Sequence, residues 1–281
     1  MAHLSLFRAV LMQPSDNHQL TEDVIKYVVA RKTIREESVD RVIAVINEIP
    51  LTLFVNGKEI VTLLCSGEHP GALAVGFLRS EGLIDNRESI VNISLDEVKG
   101  AVSVTLNKDP LLEKSSLVKR TITSGCGKGT MFYHAIDSLL NAKIESSLTV
   151  TSDQIFLLMS QLNRESTLYK YTRGVHNVAL ATPHSILFSR SDIGRHNAVD
   201  MIGGECFLKN IPLDDKLLLT TGRITSEVLL KTARMRTPFL ISRNVATYHS
   251  ITLGQRLGIT LIGDVRGNKF AVYTHPERVE L

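Results

Sequence analysis

The stretch LLLTTGRITSEVLLKTARMRTPFLISRNVATYHSITLGQRLGITLI, residues 217–262, decides the fold. Lys216–Thr221, Phe239–Ser242 and Thr260–Ile262 are short apolar runs of the kind that form fully buried strands. Between them, Ser226–Met235 and Thr247–Leu257 place apolar residues at helical spacing, and Gly258 stops the second. Strand, helix, strand, helix, strand in this order predicts a parallel sheet with helices on its faces, joined by right-handed crossovers. Such sheets bind ligands beyond the carboxyl ends of their strands. The candidate binding segments are therefore Gly222-Arg223, Arg243-Asn244 and Asp264-Val265-Arg266-Gly267-Asn268-Lys269. Their cations suit an anionic, phosphate-bearing ligand, and they equally suit solvated loops.

Just upstream, Asn177–Ala181 and Ile186–Ser189 read as a strand pair across Pro183-His184, and a helix follows over His196–Phe207. Its approach, Asp192-Ile193-Gly194-Arg195-His196-Asn197, packs five polar or conformationally special residues into six positions. One reading is capping, with Asp192 or Asn197 supplying the oxygen. The other is a helix N-terminus that holds an anion, helped by Arg195 and His196. His176 stands at the start of the first strand of the pair, as a structural group or a catalyst.

The N-terminal part has a different grammar. RVIAVINEI, LTLFV and EIVTLLC, within 41–65, are β-branched runs divided by Pro50 and by Asn56-Gly57, a strong hairpin signal. A helix is expected over His69–Glu81, with Pro70 in its first turn and Gly82 after its end. SIVNISL and AVSVTL form a second strand pair around Lys99-Gly100, while residues 23–32 fit strand or helix. This predicts a smaller α+β domain over residues 1–118, with a poorly ordered tail at 1–20. A larger α/β domain then covers 119–281. Helical patterns also fall at Met131–Asn141 and at Asp153–Leu162, the latter capped by Thr151, Ser152 or Asp153.

Residues 107–130 connect the two parts and contain Thr123-Ser124-Gly125-Cys126-Gly127-Lys128-Gly129-Thr130. Three glycines in five positions leave nothing bulky beside the Cys126 sulfur. Clustered backbone N–H groups and Lys128 would favour its thiolate, the nucleophilic form. The alternative is a glycine-rich turn that happens to hold a cysteine. A phosphate-binding GxxxxGK[ST] loop is excluded, because Ile122 and Gly129 occupy the positions that need Gly and Ser or Thr. HEXXH, GxSxG and the zinc-deaminase pattern are absent too, so no metal site is expected.

Composition narrows the class. The chain of 281 residues is 43% hydrophobic and 22% charged, ordinary for a globular protein. A net charge of +3 and the absence of tryptophan argue against nucleic acid as a partner. Cys65, Cys126 and Cys206 are odd in number and widely spaced, which suits a reducing compartment better than a disulfide framework. No signal peptide and no run of eighteen apolar residues is found, so the expectation is a cytoplasmic protein without a membrane span. A homodimer is expected on general grounds.

The runs RGVHNVAL, SDIGRHNAVDMIGG, TTGRITSEVLLKTAR and LGITLIGDVRGNKFAVYTH carry a resemblance, with SGCG, EIPLTLFVNG and LAVGFLRSEGLI upstream. Over about residues 45–280 the sequence resembles the FdhD/NarQ family of formate dehydrogenase accessory sulfurtransferases. That resemblance implies a cytidine-deaminase-like α/β/α fold for the C-terminal domain. It implies a carrier that takes persulfide sulfur from a cysteine desulfurase and passes it to Mo-bis(molybdopterin guanine dinucleotide), the cofactor of the formate dehydrogenase catalytic subunit. Cys126 falls on the family's persulfide-forming cysteine, and Asp264, Val265, Arg266, Gly267, Asn268, Lys269 and Phe270 fall on its cofactor contact. Many members have Cys-x-x-Cys at the sulfur site, whereas here Gly129 stands in the second position. The resemblance thus implies a carrier with one working cysteine. A cofactor-binding chaperone without sulfur chemistry and a nucleotide-modifying hydrolase on a deaminase-like scaffold are the alternative functions.

Overall fold

A computed structural model describes residues 24–34, 37–108 and 143–280. Cys126, the helical pattern at Met131–Asn141 and the expected domain boundary at 118/119 lie outside the described residues.

Strands β1 (Ile25–Ile34) and β2 (Glu37–Ile46) pair antiparallel as a two-stranded ribbon, which settles residues 25–32 as strand. Strands β3 (Ile49–Val55) and β4 (Lys58–Cys65) form the hairpin expected at Asn56-Gly57. Both turn residues have positive φ, 48° and 77°, as a right-twisted two-residue connection requires. Helix α1 (Pro70–Ser80) follows, then β5 (Ile90–Asp96) and β6 (Ala101–Leu106). The sheet order is β4-β3-β6-β5, and only the central β3–β6 pair is parallel. Leu53, Val55 and Leu63 from the sheet meet Leu73, Phe77 and Leu78 of α1 in one apolar cluster.

The larger sheet comes next. Strand β7 (Val150–Thr151) leads into helix α2 (Ser152–Glu165), and a short helix α3 (Thr167–Thr172) precedes β8 (His176–Ala181) and β9 (Ile186–Asp192). Thr151 is the N-cap of α2 and completes a capping box with Gln154. Helix α4 (Arg195–Leu208), β10 (Leu217–Thr220), α5 (Ser226–Met235) and β11 (Phe239–Ser242) follow. The chain closes with α6 (Tyr248–Leu257), β12 (Thr260–Arg266), β13 (Lys269–Val272) and β14 (Val279–Glu280). The order β13-β12-β11-β10-β8-β9 puts the three parallel strands β10, β11 and β12 at the centre and antiparallel strands outside.

Side chains alternate across these strands, so each face builds its own core. Leu218, Leu240 and Leu261 pack with apolar residues of α4, α5 and α6, such as Ile202, Leu229 and Leu253. Leu217, Leu219, Phe239 and Ile241 pack on the other face with Ile155, Leu158 and Leu162 of α2. The result is the three-layer α/β/α arrangement expected from the strand and helix alternation.

Helix α1 crosses α4 at very close range. A Cβ placed on Gly76 would stand 1.8 Å from the Asp200 carbonyl oxygen, and one on Gly204 would stand 1.9 Å from that of Ala72. Met201, on α4, packs into the cluster under the four-stranded sheet. A second tie is polar: Lys231 on α5 pairs with buried Asp200 and reaches Ser80 Oγ at 2.9 Å. The close α1–α4 crossing and this polar tie both join the two sheets.

Candidate functional site

The carboxyl ends of β10, β11 and β12 are joined by hydrogen bonds between the loops that leave them. The Arg243 N–H donates to the Thr220 carbonyl at 3.1 Å, and the Asp264 N–H to the Asn244 carbonyl at 3.1 Å. Ile224 N–H donates to Val245 O at 3.1 Å, and Thr247 N–H returns to Ile224 O at 3.0 Å. Side chains fill the gaps: Ser242 Oγ donates to Gly222 O at 2.6 Å, and Asn244 Nδ2 to Thr221 O at 2.8 Å. This edge is a braced platform rather than a set of independent loops. Arg223, Arg243, Arg266 and Lys269 are all exposed along it.

The segment Asp264–Phe270, read from sequence as a connecting loop, is instead a β-hairpin. Strand β12 runs on to Arg266, the turn is Gly267-Asn268, and β13 starts at Lys269. The pairing breaks register between Gly263 and Arg266, where Asp264 takes a left-handed φ of 52°. That bulge re-aims the Asp264 side chain towards the cations. Its carboxylate lies 3.4 Å from Arg266 Nε and 3.2 Å from Lys269 Nζ. Arg266 also donates to Asn244 Oδ1 at 3.1 Å and to the Arg243 carbonyl at 3.3 Å. The structure therefore brings Asp264, Arg266 and Lys269 together, with Gly267 and Asn268 exposed at the tip. Val265 is placed elsewhere, 5% exposed in the core, and Phe270 packs on Phe156 with ring centroids 5.3 Å apart. These two anchor the hairpin from below.

Next along the edge is the Asp192–Asn197 turn, and the capping reading does not hold: Gly194 is the N-cap residue and, among the described residues, no side chain accepts from the first turn of α4. Asp192 is fully buried. Its Oδ1 accepts from Gly194 N–H and Asn197 Nδ2, both at 2.8 Å, and its Oδ2 from Ser66 N–H at 2.7 Å. Burial pushes its carboxyl up, and these donors pull it back. Asn197 Nδ2 also donates to the Leu64 carbonyl at 2.8 Å. Asp192, Gly194 and Asn197 thus lock the start of α4 onto the end of β4. Arg195 and His196 are left facing the platform, where His196 Nε2 lies 3.0 Å from Glu227 Oε2. Sequence reading missed Glu227, because nothing in a separation of 31 positions marks it as a partner of His196. His176 is half-buried, and burial together with the charges of Arg195, His196 and Arg223 pushes its imidazole down.

The two described cysteines are not candidates for thiol chemistry. Cys65 and Cys206 are buried, 0% and 1% exposed. Burial, reinforced by the nearby charges of Asp192 and Glu205 respectively, pushes each thiol up to about 12. At neutral pH neither forms an appreciable thiolate. Among the described residues no group of three or more His, Cys, Asp or Glu is placed to hold a metal ion, and no helix is long and apolar enough to cross a membrane.

Comparison with known proteins decides the family: the FdhD/NarQ family model matches residues 46–280. The chain belongs to the FdhD/NarQ family. The sulfur carrier protein FdhD of Bacillus pumilus (strain SAFR-032) is 42% identical over 235 residues, covering 84% of this chain and 90% of that protein. That of Bacillus subtilis (strain 168) is 41% identical over 234 residues, covering 83% and 89%. A crystal structure of a candidate formate dehydrogenase accessory protein from Desulfotalea psychrophila superposes with a TM-score of 0.75 at 23% identity. It covers 91% of this chain and 99% of that one, and so shares the fold. The FdhD/NarQ match begins at residue 46, the last residue of β2, so nearly all of the β1–β2 ribbon lies outside it.

Proposed function

We propose that this chain is a sulfur carrier for maturation of formate dehydrogenase, working through a persulfide on Cys126. The observation that carries the reading is the state of the other cysteines. Two of the three are buried thiols held at about 12, which leaves Cys126 for the chemistry. The names of its relatives, sulfur carrier proteins, agree with that chemistry. In the loading step the Cys126 thiolate attacks the outer sulfur of a cysteine desulfurase persulfide. The donor's S–S bond breaks, a new S–S bond forms on Cys126, and the donor departs as a thiolate. No net oxidation occurs.

The acceptor in this reading is Mo-bis(molybdopterin guanine dinucleotide), which is cargo rather than a resident group. Asp264, Arg266 and Lys269 on the hairpin would receive its phosphates and guanine end, with Gly267 and Asn268 allowing close approach and Val265 and Phe270 securing the turn. Exposed cations at the carboxyl edge of a parallel sheet support that assignment. The protein's contribution is then positioning, bringing the loaded sulfur to a held acceptor. We place the carrier in the cytoplasm as a homodimer, serving the formate dehydrogenase catalytic subunit.

The test is intact mass after incubation with a cysteine desulfurase and cysteine. Wild type should gain one sulfur, and Cys126→Ala should gain none while still binding GDP. A chaperone without sulfur chemistry is the second reading, favoured by Gly129 in place of a second cysteine. An unloaded wild type that binds GDP would select it.

A further inference from the structure

The motif residues Arg195 and His196, with His176, have no part in the sulfur carrier reading, yet the fold gathers them. His176 begins β8, Arg195 and His196 open α4, and Arg223 leaves β10. Three segments far apart in sequence place these basic side chains at one point of the sheet edge. Burial and Arg223 both push the Arg195 guanidinium down, and only Glu227 opposes them. Glu227 lies beside His196, its Oε2 3.0 Å from Nε2, in contact but without the geometry of a hydrogen bond. Among the described residues, buried Arg195 Nε has no hydrogen-bond partner. The stem of Arg195 is packed on the turn, since a Cβ on Gly222 would lie 3.0 Å from Arg195 Cβ and 3.2 Å from its Cδ. Two arginines and a deprotonated imidazole crowded together, with one carboxylate among them, form an arrangement that lacks an anion.

We propose that Arg195, Arg223 and His176 form a second oxyanion site, shaped for a diphosphate and separate from the 264–270 hairpin. In the strand order β12-β11-β10-β8, the hairpin and Arg223 are two strand spacings apart, about 10 Å, and His176 is three, about 14 Å. One diphosphate, two tetrahedra sharing an oxygen, is too short to engage both ends. A ligand with two diphosphate arms reaches both, and this assignment to a bis-dinucleotide rests on the proposed function above. An approaching diphosphate would accept from Arg195 Nε and Arg223, and would let His176 donate as well.

The experiment is calorimetric titration of the full chain with inorganic pyrophosphate, then with GDP. Wild type is expected to bind pyrophosphate at two sites. Arg195→Gln/Arg223→Ser should lose one, weakened at least tenfold, while Arg266→Ser/Lys269→Ser should lose the other. A single wild-type site, no wild-type binding, or two sites unchanged by Arg195→Gln/Arg223→Ser would each overturn the proposal. Should that variant not fold, the wild-type His176 imidazole resonances serve instead. They should shift on adding pyrophosphate, and an unmoved signal overturns the site. Failure of Cys126 to load sulfur, with two pyrophosphate sites intact, would sink the sulfur reading and leave the second site standing.

Discussion

The backbone N–H of Ser66, at the end of β4, donates to Asp192 Oδ2 at 2.7 Å across 126 positions of sequence. With Gly194 N–H and Asn197 Nδ2 on the other oxygen, one buried carboxylate serves three donors. Asp192→Ala would strand all three, each at about 1–3 kcal/mol. Relaxation of the turn recovers part of that, so the expected loss is about 3 kcal/mol in urea unfolding. Asp192→Asn should lose less, because its carbonyl oxygen can still accept from Gly194 N–H and Asn197 Nδ2 while its NH₂ faces the Ser66 N–H. A loss under about 1 kcal/mol for Asp192→Ala would contradict the role assigned to the carboxylate.

The α1–α4 crossing makes a second prediction. Gly204→Ala puts a methyl 1.9 Å from the Ala72 carbonyl oxygen and 2.6 Å from Gly76 N, both backbone atoms of α1. Neither can rotate away, so the helices must separate, at a cost of about 3 kcal/mol or more. Gly71→Ala, on the same α1, meets nothing nearer than Ile93 Cγ2 at 3.9 Å. Its melting temperature should hold or rise slightly, since alanine favours helix over glycine. Equal losses in the two variants would mean that crossing distance is not what selects glycine.

Local rules made much of this legible. The Asn56-Gly57 turn, the Gly82 and Gly258 helix ends and the β10–α5–β11–α6–β12 alternation are each set by short-range chemistry. Contacts with no local signature were not legible. The Gly76–Gly204 crossing, the Ser66–Asp192 bond and the His196–Glu227 pair join positions that no periodicity connects. The 264–270 hairpin passed as a loop because glycine, asparagine and charges mark both a loop and a two-residue turn. The anchors that distinguish the two, buried Val265 and half-buried Phe270, reveal themselves only through packing.

Thiol reactivity should follow burial. With thiols raised to about 12 and closed off by the core, Cys65 and Cys206 should resist iodoacetamide at pH 8 in the native protein. Intact mass should show one label natively and three in urea. The variant Cys65→Ala/Cys206→Ala should load sulfur as wild type does. Loss of loading in a folded form of that variant would implicate a buried thiol in the relay.

The last prediction concerns acid. Burial, then Arg195, His196 and Arg223, hold the His176 imidazole below its ordinary value of 6.5. In the unfolded chain the same ring titrates near 6.5, so between the two values the unfolded state binds more protons. Stability therefore rises with pH through that window, is fully present above 6.5, and is lost as pH falls towards the folded value. His176→Gln keeps a polar side chain but cannot titrate, so its urea midpoint should drop less than wild type's between pH 7.5 and pH 5. Other groups titrate in both proteins, and the difference between the two slopes isolates His176. Pyrophosphate at the proposed second site would offset the cations that hold the ring neutral, so saturating it should flatten the wild-type slope towards that of His176→Gln. Parallel slopes without ligand would mean that the charges around His176 do not act on its proton.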